Sequence, residues 1–128
     1  MTMKNALDLV AEAKSKINEV SVTDAPSEIQ KADVLIDVRE PDEFRAGHIA
    51  GAINIPRGML EFKLSGTPEL QDRDKHIVLY CKTSGRGALS TVALQDMGYI
   101  KVSSIAGGLD AWIEAGKPTV KADLPDFG

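Results

Sequence analysis

The sequence has few of the residues that build metal sites and cross-linked folds. It contains one cysteine, Cys81, and two histidines among 128 residues, and aromatic side chains make up only 5% of it. A single cysteine excludes an internal disulfide and a cysteine-rich zinc site, and two isolated histidines give no metal signature. We therefore expect no bound metal.

Two further absences restrict where the chain works and what it binds. No apolar run approaches the ~20 residues that a membrane-spanning helix requires, and the N-terminus lacks the apolar core of a signal peptide. Acidic residues outnumber basic ones, 19 to 15, and no basic block is present, which argues against a nucleic-acid partner. We predict a soluble cytoplasmic protein that binds neither nucleic acid nor membrane.

Short apolar runs alternate with helix-like stretches along the chain. The runs at 33–38 and 77–80 indicate buried parallel strands, and the stretches between such runs have helical spacing. With 43% hydrophobic residues, a chain of this length supports one domain with its own core. We predict an α/β fold with a mostly parallel central sheet. It forms a single domain, 1–128, with an N-terminal helix in 1–19 before the core and an irregular tail at 119–128.

Apolar spacing also predicts which side chains three of the helices turn inward. The first helix occupies 3–17, the second follows the cysteine, and the third lies near the C-terminus. A short alternating strand is expected at 20–22. The inward side chains are Met3, Leu7, Val10 and Ile17 in the first helix, Leu89, Val92, Ala93 and Met97 in the second, and Leu109, Trp112 and Ile113 in the third.

The cysteine lies where an apolar strand gives way to a helix. The run 76–80 leads directly into Cys81, and a polar, glycine-containing stretch separates Cys81 from the next helical pattern. Open α/β sheets bind ligands at the carboxyl ends of their strands. A helix N-terminus and the nearby cations Lys82 and Arg86 favour the thiolate, which is the reactive form. A lone cysteine is more commonly a small buried hydrophobe, but this polar surrounding indicates an exposed turn and a reactive thiol.

Two glycines support the interpretation of this segment as a reactive polar loop. Gly85 and Gly87 stand at its end and allow the backbone to turn its N–H groups inward. Successive inward N–H groups form a concave anion-binding site. We therefore expect the loop to hold a small anion beside the cysteine.

Three segments resemble, in order, the signatures of the rhodanese-like domain family. The segments 37–44 and 47–56 are similar to the family's first signature, 76–86 to its active-site loop, and 107–112 to its C-terminal signature. Together they span about 34–118, most of the chain. The resemblance implies a rhodanese-like three-layer fold, with helices on both faces of the mostly parallel sheet.

The resemblance also implies an activity, that of a sulfurtransferase of the thiosulfate:cyanide type. In the family the loop cysteine takes a sulfane sulfur from a small anion such as thiosulfate and holds it as a persulfide. It then passes the sulfur to a thiol, cyanide or a protein, and no cofactor takes part. Carried over to this chain, Cys81 is the catalytic nucleophile. The substrate-binding residues are Lys82, Thr83, Ser84, Gly85 and Arg86.

Loop length separates two chemistries within the resemblance. Four residues lie between Cys81 and Arg86, which in the family goes with sulfur transfer, whereas the related phosphatases and arsenate reductases have one residue more. A tetrahedral phosphate requires a wider ring of N–H donors than a sulfur atom does. The loop departs from the family at Ser84, where many members have glycine, and this departure leaves the choice of donor open.

Three charged residues outside the loop are further candidates. Asp37 and Arg39 lie near a strand end, where either a catalytic role or structural support of the loops is possible; we favour support. Glu43 occupies a position where some family members have a residue at the rim of the active site, so that it would face Arg86.

These residues are compatible with three functions. The chain is either an enzyme acting on a free donor or a persulfide carrier that a partner enzyme loads and that delivers sulfur to another protein. An inactive regulatory module is a third possibility, against which the presence of both Cys81 and Arg86 argues.

Overall fold

The computed structural model describes residues 3–122. Within this range five strands form one sheet in the order β1-β5-β4-β2-β3, and every neighbouring pair is parallel. The strands are β1 Asn18–Val20, β2 Val34–Asp37, β3 Ile53–Asn54, β4 His76–Tyr80 and β5 Lys101–Ile105. The helices are α1 Ala6–Lys14, α2 Ala25–Lys31, α3 Pro41–Ala46, α4 Leu60–Gly66, α5 Gly85–Asp96 and α6 Gly108–Glu114, with 3-10 turns at Arg57–Met59 and Pro68–Leu70. The predicted α/β class with a parallel sheet is confirmed.

The sheet separates two apolar clusters, so that the fold has three layers. One cluster joins Leu60 and Leu64 of α4 and Leu94 of α5 to the sheet. The other joins Ala25 of α2 and Trp112 of α6 to the opposite face. Helices therefore cover both faces, as predicted, and none of those described in 3–122 has the length and apolar character needed to cross a membrane.

Strand β4 lies at the centre of the sheet, between β5 and β2. Its side chains from Ile77 to Tyr80 are fully buried, because helices cover both faces of a central parallel strand and every position then meets apolar neighbours. All strands run in the same direction, so their carboxyl ends meet at one edge. The residue that follows β4 at this edge is Cys81.

The first helix is shorter than predicted and turns a different face inward. It begins at Ala6 because Asn5 caps it, accepting from the Asp8 amide while the Asp8 carboxylate accepts from the Asn5 amide. Met3 precedes the helix, and Leu7 is 78% exposed, so these two were wrongly expected in the core. Ala13 is buried instead, because its small side chain allows α1 to pack closely on α5.

The strand predicted at 20–22 lies two residues earlier, at Asn18–Val20. The chain turns at Ser21, whose carbonyl accepts from the amides of Asp24 and Ala25 at the start of α2. At the other end of the chain, Val120 forms an antiparallel bridge with His48, so this part of the predicted tail is anchored. Residues 123–128 of the tail lie outside the described residues.

Two helices differ from the prediction in the face that they bury. In α6, Leu109 and Trp112 are buried as predicted, whereas Ile113 is 52% exposed. In α5 the predicted stripe is only half-buried and lines a groove of about 610 Å³ beside α1. Small residues, polar ones included, allow α5 to lie close to the sheet, which apolar spacing alone does not reveal. The residues of α5 that are buried are Gly87, Ala88, Ser90, Thr91 and Leu94.

Replacing Leu94 and Leu89 separately by alanine tests this orientation of α5. Leu94→Ala leaves a cavity in the core and is expected to lower the free energy of unfolding by about 2–5 kcal/mol. Leu89→Ala removes the same atoms from a half-buried position and is expected to cost less than about 1.5 kcal/mol. Urea denaturation of both variants measures the difference; equal losses would contradict the orientation.

Candidate active site

The cysteine loop joins the central strand to the longest helix. Cys81 directly follows β4, Lys82, Thr83 and Ser84 form the turn, and α5 begins at Gly85. Residues 82 and 83 are exposed and 84–86 are half-buried. The structure thus brings the predicted loop residues together at the carboxyl edge of the sheet.

The cysteine is more buried than the sequence analysis expected. The side chain of Cys81 is 2% exposed and belongs to the same apolar cluster as Ile77 and Leu79. The reason is the two-residue alternation of a strand, which continues through Cys81 and directs its side chain toward the covered face. Its Sγ accepts a hydrogen bond of 3.2 Å from the Gly87 amide. The expectation of an exposed turn therefore holds for Lys82 and Thr83 but is wrong for the thiol.

In the loop backbone several carbonyl groups have hydrogen-bond partners within 3–122, whereas most of the N–H groups do not. None of the amides from Lys82 to Arg86 donates to another group in the described part of the chain. The carbonyl of Cys81 accepts from the Leu109 amide, and that of Lys82 from the Asp110 amide, both at 2.9 Å. Five N–H groups of the loop that follows the cysteine are consequently available to bind an anion.

Gly108, the first residue of α6, lies directly against this loop. Its φ of 60° is in the left-handed region, and a Cβ built there would lie 2.5 Å from the Cys81 carbonyl oxygen and closer still to that of Thr83. No other residue type fits a position so close to backbone atoms. The glycine pair at 107–108, which the sequence analysis used as a signature, thus clamps the loop.

Gly87 is required by close packing, whereas Gly85 is not. Neither has a positive φ, so the predicted glycine-dependent turn is wrong. A Cβ at Gly87 would lie 2.7 Å from Ser104 Oγ and 3.7 Å from Cys81 Sγ. A Cβ at Gly85 would make only an ordinary contact with Val10 of α1. Close approach of α5 to the sheet is what brings the Gly87 amide to the thiol.

Ser104, which lies against Gly87, is a buried polar residue that the sequence pattern does not reveal. Three side-chain oxygens are buried without a hydrogen-bond partner in 3–122, those of Ser104, Ser90 and Glu19. Glu19 and Ser104 are paired across β1 and β5. Serines in an apolar strand and helix carry no sequence pattern that distinguishes them from surface positions.

Arg86 pairs with Glu43 in a two-pronged ion pair. Arg86 Nη1 lies 2.7 Å from Glu43 Oε1, and Nη2 lies 3.1 Å from Oε2. The hydrogen bonds from the guanidinium lower the pKa of Glu43 to about 2 against its partial desolvation, and the same pairing raises the pKa of Arg86. The expected contact between Glu43 and Arg86 is present, and it joins α3 to the start of α5.

Asp37 and Arg39 form a buried pair that organises the loop after β2. Arg39 donates from Nε and Nη2 to the Asp37 carboxylate, at distances of 2.6–3.1 Å, and from Nη2 to the Gly47 carbonyl. Asn54, which the sequence analysis did not single out, donates to the carbonyls of both residues. Because both Asp37 carboxylate oxygens and the Nε and Nη2 atoms of Arg39 are occupied in this way, the geometry favours support over catalysis.

Lys82 also has a carboxylate partner. Its Nζ lies 2.8 Å from Asp110 Oδ2, and both side chains are about half exposed. Asp110 thus contacts the first residue of the loop twice, by its amide and by its carboxylate. In 3–122, no group of three His, Cys, Asp or Glu side chains is placed to hold a metal ion.

The fold and site define an α/β domain with a cysteine-headed polar loop at the carboxyl edge of a parallel sheet. The family model for the rhodanese-like domain matches residues 21–115, and the chain belongs to this family. It is 33% identical to thiosulfate sulfurtransferase 16, chloroplastic, of Arabidopsis thaliana, over 86% of this chain and 98% of that protein. It is 30% identical to the thiosulfate:glutathione sulfurtransferase of Saccharomyces cerevisiae, over 91% of this chain and 92% of the relative.

Other relatives are less informative about activity. A solved structure from Rhodopseudomonas palustris, described as a possible tyrosine phosphatase, matches with a TM-score of 0.81 and 35% identity over 92% of this chain and 96% of that one. The uncharacterized protein slr1261 of Synechocystis is 37% identical over 80% of this chain, which spans 58% of that protein's length. Sulfurtransferases among the full-length relatives support a sulfurtransferase-type function.

Replacing Gly108 by alanine tests the clamp. The new Cβ would displace the loop carbonyls, so we expect a greater loss of stability than the roughly 1–3 kcal/mol that a left-handed alanine costs by itself. Gly116→Ala is the matched control, because Gly116 has a φ of 79° with no atom within 4 Å of its added Cβ. Thermal unfolding of the two variants compares them. Equal destabilisation would show that the loop does not depend on contact with Gly108.

The pair between Glu43 and Arg86 gives a prediction for pH. Because the folded pKa of about 2 lies below the ordinary value of 4.5, the pair stabilises the fold above about pH 4.5, and this is lost as pH falls toward 2. Glu43→Gln should lower the free energy of unfolding by about 1 kcal/mol or less near pH 6, since solvent screens the pair, and by almost nothing near pH 2. Urea denaturation at both pH values measures this, with Asp42→Asn on the same helix as control.

Proposed function

We propose that this protein is a single-domain, cytoplasmic sulfurtransferase that moves a sulfane sulfur from a donor such as thiosulfate to a thiophilic acceptor through a persulfide on Cys81. The observation that carries the proposal is the position of Cys81 Sγ. It accepts a hydrogen bond of 3.2 Å from the Gly87 amide, in a loop with five amides that have no partner within 3–122. The sulfurtransferase activities of the relatives from Arabidopsis and yeast support it.

In the first half-reaction, the Cys81 thiolate attacks the outer sulfur of the donor. A bond forms between Sγ and that sulfur, the bond from the sulfur to the remainder of the donor breaks, and the remainder leaves with the electron pair. With thiosulfate the leaving group is sulfite. The negative charge stays beside the loop amides and the N-terminus of α5 throughout, and such preorganised donors stabilise a charge most strongly where water is excluded.

In the second half-reaction, a thiophilic acceptor takes the outer sulfur of the persulfide. An acceptor thiolate attacks that sulfur, the bond to Sγ breaks, and Cys81 leaves as the thiolate that began the cycle. Atoms and charge balance without an oxidant or a metal. Because the Cys81 side chain is 2% exposed, the persulfide would be largely shielded from water between the two steps.

The length of the loop favours sulfur transfer over phosphate hydrolysis. Thr83 and Ser84 are the middle residues of the four between Cys81 and Arg86, so the ring of free amides is short for a tetrahedral phosphate. Arg86 is also held by two hydrogen bonds to Glu43, and would have to leave this partner to bind a phosphate oxygen. The phosphatase description of the Rhodopseudomonas relative is therefore the less supported alternative.

Replacement of Cys81 by serine tests the proposal. We expect loss of thiosulfate:cyanide transfer by at least about 1000-fold, since a hydroxyl cannot carry the sulfane sulfur. Intact mass spectrometry of the unaltered protein after incubation with thiosulfate should show the mass of one added sulfur atom, lost again on addition of cyanide. Ser103→Ala, a buried serine on β5 facing away from the site, is the control for handling and folding.

Three results would decide between the candidate functions, one from the Cys81→Ser variant and two from parallel assays of the unaltered protein. Substantial transfer by Cys81→Ser would contradict the proposal. Addition of sulfur by a cysteine desulfurase but not by thiosulfate would favour the alternative of a protein-to-protein persulfide carrier. Hydrolysis of p-nitrophenyl phosphate without any added sulfur mass would favour the phosphatase.

A further inference from the structure

Three cations in and beside the cysteine loop each have a carboxylate partner. They come from three different parts of the chain, the segment after β2, the loop itself and the start of α5. Their partners lie on β2, α6 and α3. The pairs are Arg39 with Asp37, Lys82 with Asp110, and Arg86 with Glu43.

The consequence is that these three ion pairs add no net positive charge to the site, in which the Cys81 thiolate is itself negative. The binding groups that remain free are the amides of residues 82–86, which are dipoles and not full charges. Such a ring solvates a single negative charge at the reacting sulfur well. A dianion gains less, because its second charge loses water without meeting an unpaired cation.

The pair between Lys82 and Asp110 differs from the other two in its exposure. The Asp37–Arg39 pair is buried and supports the loop after β2, and Arg86 is held by two hydrogen bonds. Lys82 and Asp110 are 59% and 48% exposed. A pair so exposed contributes about 0–1 kcal/mol to stability, so the fold does not require it.

Asp110 is nevertheless held firmly in place. Its amide donates to the Lys82 carbonyl, and Gly108, two residues earlier, lies against the Cys81 carbonyl. The Asp110 backbone is therefore fixed relative to the loop and its side chain is short, whereas Lys82 Nζ stands on a long, flexible stem. Among the described residues, Asp110 is the one carboxylate paired with Lys82 Nζ, so its removal would leave this charge without an ionic partner beside the loop.

We infer that Asp110 is a specificity-determining residue that selects the charge of the sulfur donor. By holding Lys82 Nζ, it makes the site favour sulfane-sulfur donors with a single negative charge, such as an organic persulfide, over dianionic thiosulfate. The inference rests on the proposed function, since it concerns the donor of the same reaction. With either a monoanionic donor or thiosulfate, the outer sulfur forms a bond to Cys81 Sγ, and the remainder of the donor leaves with the electron pair.

Two donors that differ by one charge test the inference. Thiosulfate is dianionic, and methanethiosulfonate is a monoanion that transfers the same type of sulfur and releases methanesulfinate. We expect Asp110→Asn to raise the ratio of kcat/KM for thiosulfate to that for methanethiosulfonate by about threefold to tenfold, chiefly through KM, because the freed lysine attracts the second charge. Measurements at low ionic strength, about 0.05 M, keep this attraction from being screened.

Controls separate the action of Asp110 from a change in structure. Asp110→Glu should restore the original ratio. The double variant Lys82→Gln/Asp110→Asn should show no gain over Lys82→Gln, because the effect acts through Nζ. Glu114→Gln removes a carboxylate from the opposite end of α6 and should leave the ratio unchanged.

An unchanged ratio in Asp110→Asn would overturn the inference, as would a gain that persists without Lys82. Either result is distinguishable from failure of the proposed function. In that case the unaltered protein would acquire no sulfur on Cys81 from thiosulfate or from methanethiosulfonate.

Discussion

The site depends on one contact, that between the first turn of α6 and the carbonyl groups of the cysteine loop. Gly108 lies so close to these carbonyls that only a glycine fits, and the next two amides bind the carbonyls of Cys81 and Lys82. A peptide group has its C=O and N–H on opposite sides. Fixing the carbonyls of Cys81 and Lys82 toward α6 therefore directs the amides of Lys82 and Thr83 away from α6, where they are available to an anion.

The ion pairs around this loop differ in how deeply they are buried. The Asp37–Arg39 pair is almost fully buried, and its desolvation is offset by several hydrogen bonds, so removal of one partner would leave an uncompensated buried charge. The pair between Lys82 and Asp110 lies in solvent, where its energy is small. The buried charges thus hold the scaffold together, whereas the role proposed for the exposed pair is to adjust what binds to it.

Much of the fold followed from the sequence, because a parallel sheet between helices leaves strong patterns. The fully buried run of β4, the order of strand, cysteine and helix, and the glycine pair at 107–108 were all readable. The faces of α5 and α1 were not, since Gly87, Ser90 and Ala13 approach their neighbours through small size and not through hydrophobicity. The clamp by Gly108 was also not readable, because a signature does not show which backbone atoms the missing side chain admits.

The burial of Cys81 shows how a polar loop and a buried thiol combine in one site. Polarity of the following residues suggested exposure, but the side chain of Cys81 still follows the alternation of β4 into the apolar cluster. The backbone, by contrast, leaves the strand at this residue and turns over the sheet edge. The sulfur therefore lies in a largely dry environment, while the amides around it belong to a polar turn. Because electrostatic interactions strengthen as water is excluded, the Gly87 amide acts on the sulfur more strongly in this position than it would in a fully exposed loop.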